Sequence, residues 1–220
     1  MNDEVKAMIE RFKKLDTTCV SDAMDKLGIP GGLLGIKSVH PGKRICGTAY
    51  TVHYVPCGQI KGTVGDFLDD VEPGQVIVID NGGREYCTVW GDIMSFTAKM
   101  KNIEGTLIDG VCRDLPALLE SGYAVFSKGH YMVTGKDRVE VDAVQVPVAV
   151  SGIKICPGDI IIGDDTGAVA VPYERAAEVA KVAEMIDETE KKIIELVKQG
   201  MPLKEARKQT GYHHLQTKEG

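Results

Sequence analysis

Three charged residues stand out by type and spacing. Asp92 is followed, after twenty intervening residues, by the adjacent pair Arg113-Asp114, all within the stretch GDIMSFTAKMKNIEGTLIDGVCRD from Gly91. Asp92 falls where a helix is expected to begin. The backbone N–H groups of Ile93 and Met94 would then be free to take a carboxylate. Arg113 presents a planar fork suited to a carbonyl or enolate oxygen. Asp114 is a hard oxygen ligand of the kind that holds magnesium or manganese with several waters still attached. Together these groups suit an α-keto acid bound beside a divalent cation. A plainer account is also open: Asp92 and Asp114 each cap a helix, and Arg113 makes a surface ion pair worth little.

The elements that would position these residues can be read from periodicity. Val5, Met8, Ile9, Phe12 and Leu15 have helical spacing over residues 4–15. A second short helix stops at Gly28, with Thr18 or Ser21 as its cap. A Gly- and Pro-rich loop leads into a strand over about residues 47–55. A short helix is expected at Gly65–Leu68. The phrase VEPGQVIVIDNGG reads as a turn, a β-branched strand and a Gly-rich turn. Ile93, Phe96, Met100 and Ile103 recur at three or four residues, so 92–102 is predicted helical. GTLIDG is a short buried strand. DLPALLESG is a helix with Asp114 at its cap, Pro116 in its first turn and Gly122 beyond its end. YAVFSKG is the next strand. This alternation predicts βαβ geometry and a partly parallel sheet, whose carboxyl edge gathers strand ends and helix starts where ligands bind. From Val139 onward strands and tight turns take over. A final helix is expected over Tyr173–Lys198, followed by a short tail. The chain reads as one α/β domain over 1–220, with helical extensions at 1–28 and 173–220.

Composition narrows the function classes. The 220 residues are 43% hydrophobic and 26% charged, with a formal net charge of −6. That is an ordinary globular composition, and its sign argues against a general nucleic-acid surface. The N-terminus lacks the pattern of a signal or transit peptide, and no apolar run nears the ~20 residues of a membrane span. A cytoplasmic chain without nucleic-acid or membrane partners is the expectation. Six scattered cysteines show no C-x-x-C spacing, and Cys112, despite its neighbour Arg113, reads as a small core residue. Phosphate-loop, dinucleotide, nucleophile-elbow and H-E-x-x-H signatures are missing, which also removes a methyltransferase. The five histidines lack metal spacing, and His213-His214 reads as a tail feature. Asp164-Asp165, before Thr166-Gly167, is explained by a hairpin turn.

The phrases LDTTCVSDAMDKLG, EPGQVIVIDNGG, LIDGVCRD and PGDIIIGDDTGAVAVP, with the spaced triplet, resemble the RraA-like family over roughly residues 15–215. That family includes 4-hydroxy-4-methyl-2-oxoglutarate aldolases and the regulator of ribonuclease E activity. The resemblance implies a three-layer β/β/α fold of the swivelling-domain type, assembled as a homotrimer or homohexamer, and a class II, metal-dependent pyruvate aldolase. It further implies that Gly91, Asp92, Ile93 and Met94 hold the substrate carboxylate, mainly through backbone amides. Arg113 would bond the C2 oxygen, Asp114 would bind the metal (magnesium or manganese), and Asp92 would orient a water on that metal.

The implied reaction cleaves a 4-hydroxy-2-oxo acid between C3 and C4, releasing pyruvate, with oxaloacetate decarboxylation as a side activity. Related aldolases draw an acidic residue from a neighbouring subunit, and Glu184 to Glu195 holds several candidates. The shorter regulators lack the long C-terminal segment present here, which favours the enzyme. The alternative is a non-catalytic protein that binds and regulates a ribonuclease.

Overall fold

The computed structural model of the chain describes residues 2–212, so the His213-His214 pair lies outside the described residues. In chain order the elements are α1 (Asp3–Phe12), α2 (Thr17–Lys26), β1 (Lys37–Ser38), β2 (Ile45–Pro56), β3 (Gln75–Thr88), α3 (Asp92–Met100), β4 (Gly105–Cys112), α4 (Leu115–Ser121), β5 (Val125–His130), β6 (Val139–Val144), β7 (Val148–Val150), β8 (Ile153–Ile155), β9 (Ile160–Asp164), β10 (Gly167–Val171), α5 (Ala176–Lys198) and α6 (Leu203–Thr210). Single 3-10 turns lie at Asp66–Asp70 and Tyr173–Arg175. The chain divides into two compact units. One runs from Gly32 to Tyr173; the other combines the residues up to Gly31 with those from Glu174.

The larger unit is a three-layer α/β structure. Its sheet has the order β1-β5-β4-β3-β2-β9-β10, with β6 also pairing β2. The central strands β2, β3, β4 and β5 are parallel neighbours, and the others add antiparallel. Every residue of β4 is buried, as expected of a parallel strand covered on both faces. On one face Ile77, Ile79, Ile108 and Val125 pack with Ala98 of α3 and Leu118 of α4. On the other face Val76, Val78, Leu107 and Phe126 pack against Val148, Val150 and Ile155 of the β7–β8 hairpin. The layers are therefore hairpin, sheet and helices, the β/β/α order that the family resemblance implies.

Strand β3 departs from expectation. The Gly-rich phrase after Asp80 was predicted to turn the chain away, yet the strand continues to Thr88. The pairing with β4 jumps from Asp80↔Asp109 to Arg84↔Gly110 and again to Thr88↔Val111. Gly82 and Gly83 adopt φ of 58° and 68°, which lets the extra residues bulge out while pairing resumes. Beside the bulge a polar row crosses the hairpin-side face. His53 is the register partner of Asp80, and Asp80 of Asp109; Lys128 follows on β5. His53 Nδ1 lies 3.1 Å from Asp80 Oδ2, and Lys128 Nζ 2.6 Å from Asp109 Oδ1. The Ala149 and Ser151 N–H groups donate to Asp80 and Asp109, each at 3.4 Å. Both carboxylates are buried, which these partners make tolerable.

The smaller unit is helical. Ile9 and Phe12 of α1, Val20 and Ala23 of α2, and Val179, Ala180, Ala183 and Ile186 of α5 are among its buried apolar positions. Arg11 donates through Nε and Nη2 to the two Glu184 oxygens, both at 2.8 Å. The cap of α2 is Asp16, whose carboxylate accepts from Cys19 N at 2.8 Å, rather than Thr18 or Ser21. Thr18 instead donates to Asp16. The final helix begins at Ala176, after the 3-10 turn, and the expected tail contains α6.

Candidate active site

The sequence triplet converges at the carboxyl edge of the parallel strands. Asp92 follows the end of β3 as the first residue of α3, and Arg113-Asp114 follows the end of β4. The two ends are tied by Arg113 N donating to Trp90 O at 3.0 Å. Trp90 is buried and stacks on Tyr123, with ring centroids 6.1 Å apart. Its indole N–H donates to Ser95 Oγ at 2.8 Å, and Ser95 Oγ donates to Gly91 O at 2.9 Å. The start of α3 is thus pinned from beneath by a buried aromatic and a hydroxyl, and the polar groups above it inherit that rigidity.

The helix caps differ from expectation. The cap position of α3 is Gly91, not Asp92. Asp92 lies in the first turn, and its Oδ1 accepts from Ile93 N at 2.7 Å. The Ile93 N–H, expected to be free, is therefore engaged by its own neighbour. Asp92 N donates to Asp114 Oδ2 at 3.2 Å. Asp114 does occupy the cap position of α4, but its side chain makes no capping bond. It turns away toward Asp92 N and toward Arg113 Nε, which is 3.3 Å distant. Its φ of 59° is left-handed, a conformation that costs about 1 kcal/mol or more outside glycine and that Asp and Asn tolerate best.

Gly91 is required by this arrangement. A Cβ built there would meet Asp114 Oδ2 at 2.5 Å and Arg113 Nε at 3.3 Å. Only a bare backbone leaves room for the carboxylate. Beyond its Nε, Arg113 finds no acceptor for its two terminal nitrogens among the described residues, so the fork's outer edge is open. Gly91, Asp92 and Arg113 line a cleft of about 380 Å³; Asp114 lies behind them and is not part of its wall. The cleft's walls bring in residues that the sequence reading missed: Thr63 and Asp66 from the loop after β2, and Thr134 and Lys136 from the segment after β5. Nothing in their spacing along the chain marks them, because the two segments are far apart in sequence and meet only in the fold. Cys112 is fully buried, with burial pushing its thiol up, in keeping with a core residue. Asp164 accepts from Thr166 N at 2.9 Å in the β9–β10 turn, as expected of a hairpin.

The apolar stripe that marked α3 in the sequence faces outward. Ile93, Phe96 and Met100 are 76%, 65% and 68% exposed, whereas Ser95 and Ala98 are buried. Ile93 and Phe96 also line a second depression that shares Asp92 with the cleft. Among the described residues, no group of three or more His, Cys, Asp or Glu side chains is arranged to enclose a metal.

A sequence profile of the RraA-like family, described as Aldolase/RraA, matches residues 17–170. The chain belongs to the RraA-like family. Among its relatives, protein DlpA of Legionella pneumophila is 39% identical over 215 residues, covering 96% of this chain and 35% of DlpA. This RraA-like chain thus spans about a third of DlpA's length. A protein of Halalkalibacterium halodurans, provisionally named a 4-hydroxy-4-methyl-2-oxoglutarate aldolase, is 30% identical over 189 residues, covering 84% of this chain and 88% of that one. The crystal structure of an uncharacterized protein from Pseudomonas syringae pv. tomato superposes with a TM-score of 0.85 at 44% identity, covering 92% of this chain and 97% of that one. The mixed α/β fold with its central sheet is that of the RraA-like family. Among the described residues, no helix is long and apolar enough to cross a membrane.

Proposed function

We propose that this chain is a divalent-cation-dependent lyase that cleaves a 4-hydroxy-2-oxo acid, of the 4-hydroxy-4-methyl-2-oxoglutarate type, to pyruvate and a second carbonyl compound. Decarboxylation of oxaloacetate is the expected side activity. The observation that carries the reading is the packing of Gly91, Asp92, Arg113 and Asp114, in which Asp114 Oδ2 occupies the space a Cβ at Gly91 would fill. A structural cap has no need of that arrangement, and Asp114 does not cap.

The residues present fit a hydrated cation. Asp114 is a hard oxygen donor, half-buried, held at a left-handed backbone, with one oxygen on the Asp92 backbone N–H. With no third ligand gathered around it, such a site suits magnesium or manganese that keeps most of its waters. When bound, the cation supplies positive charge beside the substrate's C2 oxygen. The chain's own groups do the rest. The first turn of α3, with the Met94 N–H unmatched within the helix, takes the substrate carboxylate. Arg113 donates its open edge to the C2 oxygen. Asp92 orients a water toward the C4 hydroxyl and favours loss of its proton. The C4–O bond becomes a carbonyl, the C3–C4 bond breaks, and its electron pair passes to the C2 oxygen as pyruvate enolate. Arg113 bonds that oxygen more strongly as charge develops.

The same reading makes the protein a homotrimer or homohexamer, and the exposed apolar stripe of α3 supports assembly, since patches of this kind favour interfaces. Pyruvate release from 4-hydroxy-4-methyl-2-oxoglutarate, followed with and without magnesium, tests the reaction. Turnover that persists in excess EDTA would remove the cation from it. No release from any 4-hydroxy-2-oxo acid would return the chain to the alternative of a protein-binding regulator.

A further inference from the structure

The hydrogen bonds beneath the start of α3 join into one line that ends on Asp114. An indole N–H can only donate, so Trp90 gives its proton to Ser95 Oγ, at 2.8 Å. The Ser95 hydroxyl keeps its own proton for Gly91 O, at 2.9 Å. The direction of both bonds is thereby fixed. Gly91 C=O and Asp92 N–H belong to a single planar peptide unit. That N–H points the opposite way and donates to Asp114 Oδ2 at 3.2 Å. The line therefore runs from the indole, through a hydroxyl and a peptide plane, to the carboxylate.

Its inner links are held from below. Trp90 and Ser95 are both buried. Trp90 stacks on Tyr123, whose hydroxyl is 3.0 Å from Thr106 Oγ1. Gly91 O also accepts the ordinary helix bond from Ser95 N at 3.1 Å, so the hydroxyl is not needed to start the helix. What it adds is a tether on the Gly91–Asp92 peptide plane, which carries the donor that Asp114 faces. Bonds in series polarise one another, so the tether makes the Asp92 N–H a stronger donor. The same helix offers a comparison. Thr97 Oγ1 donates to Ile93 O at 2.9 Å, a bond of the same kind that acts on the Ile93–Met94 peptide instead.

We infer that Ser95 is a positioning residue: it relays the Trp90 indole N–H and, through the Gly91–Asp92 peptide, orients the Asp114 carboxylate for a divalent cation. This rests on the reading of Asp114 as the cation's ligand.

Manganese alone is the probe. Its binding to the full chain is followed by loss of the free ion's electron paramagnetic resonance signal. Groups that orient a metal ligand from behind are worth about 10–100-fold in affinity. Ser95→Ala should weaken manganese binding by about tenfold or more. Trp90→Phe, which keeps a ring but not the N–H, should do the same. The double variant should be no weaker than the weaker single, because both cut one line, whereas unrelated damage would multiply. Thr97→Val should bind as the wild type does. The chain has a single tryptophan, so one indole N–H resonance reports the relay, and Ser95→Ala should shift it. If Trp90→Phe fails to fold, Ser95→Ala beside Thr97→Val carries the test. The inference is overturned if Ser95→Ala stays within about twofold of wild type, if Thr97→Val weakens binding as much, or if the two losses multiply. Asp114→Asn separates it from the reading beneath it. Binding lost there but kept in Ser95→Ala retains the ligand and discards the relay. Binding that survives Asp114→Asn, or a wild type that takes up no manganese, discards both.

Discussion

Gly91→Ala is the sharpest perturbation the site allows, because it adds one methyl where the structure has none to spare. The new Cβ would lie 2.5 Å from Asp114 Oδ2, against the 3.4 Å at which ordinary contact begins. The carboxylate must retreat by about 0.9 Å, or the backbone must yield. Retreat breaks the 3.2 Å bond from Asp92 N and disturbs the 3.3 Å pair with Arg113. Arg113 Nε and Cγ are themselves within 3.4 Å of the added methyl, so it cannot accommodate the shift. Overpacking of this size costs about 1–3 kcal/mol, toward the low end for a partly exposed group. For a chain of this length that lowers the melting temperature by about 2–4 °C per kcal/mol. Displacement of a catalytic group by about 1 Å, by contrast, costs on the order of 10²-fold in rate. The assay is pyruvate release under saturating magnesium, alongside the melting curve. A variant that melts slightly early and turns over about a hundredfold more slowly supports the argument. Turnover within about threefold of wild type would refute it, because the packing of Gly91 against Asp114 would then have no part in the chemistry.

The other expectations can be stated briefly. Asp92→Asn keeps an oxygen for the 2.7 Å bond to Ile93 N and loses only a helix-dipole contribution of about 0.3–1 kcal/mol, so the melting curve should barely move while turnover falls by ~10²–10⁴; near-normal turnover would make Asp92 a helix-start residue only. Arg113→Lys keeps the charge but loses the fork, and kinetics should show a loss on the order of 10²–10³. Chelation of the cation should stop turnover reversibly and leave far-ultraviolet dichroism unchanged; unfolding on chelation would mean the cation is structural. In the helical unit, the Arg11 guanidinium fork holds the Glu184 carboxyl below the ordinary glutamate range. Its contribution is therefore present above that ordinary range and is lost as pH falls through the lowered value. Both side chains are more than a third exposed, so Arg11→Met should cost no more than about 1 kcal/mol in denaturant melts at neutral pH, and still less in acid.

Much of the sheet could be read from the chain because its strands obey local rules. The buried runs QVIVID and GTLIDG are bounded by Gly and Pro, and Pro116 with Gly122 brackets α4. What escaped was decided by tertiary contact. The Gly82-Gly83 pair looks like a turn in isolation, yet it forms a bulge, and pairing with β4 resumes beyond it. Helix α6 buries only Ala206, so its sequence is too polar to show an apolar stripe. Asp16, which precedes the first periodic residue, outcompetes Thr18 and Ser21 for the cap of α2 because its carboxylate reaches Cys19 N. At the candidate site, Asp92, Arg113 and Asp114 stand out in the sequence by type and spacing, and the fold brings them together. The engagement of Ile93 N–H, the left-handed Asp114 and the Lys136 wall were not legible, since each depends on which loops meet above the sheet.

The row running from His53 through Asp80 and Asp109 to Lys128 bears on how the sheet finds its alignment. The parallel strands it crosses are nearly uniform in greasiness: Val76, Ile77, Val78 and Ile79 on one, Leu107 and Ile108 on the next. Hydrophobic burial is non-directional, so such runs could slide past one another at little cost. The row forbids it. A slip of one residue turns a strand's side chains to the opposite face, which would drive Asp80 in among Ile77 and Ile79's neighbours beneath α3, stripped of His53 and of the Ala149 N–H. Leaving a buried carboxylate without hydrogen-bond partners is strongly unfavourable. A slip of two keeps the face but moves the charge about 6–7 Å from its partner. One alignment alone pairs all four groups at once, and they serve the sheet as index marks serve a scale.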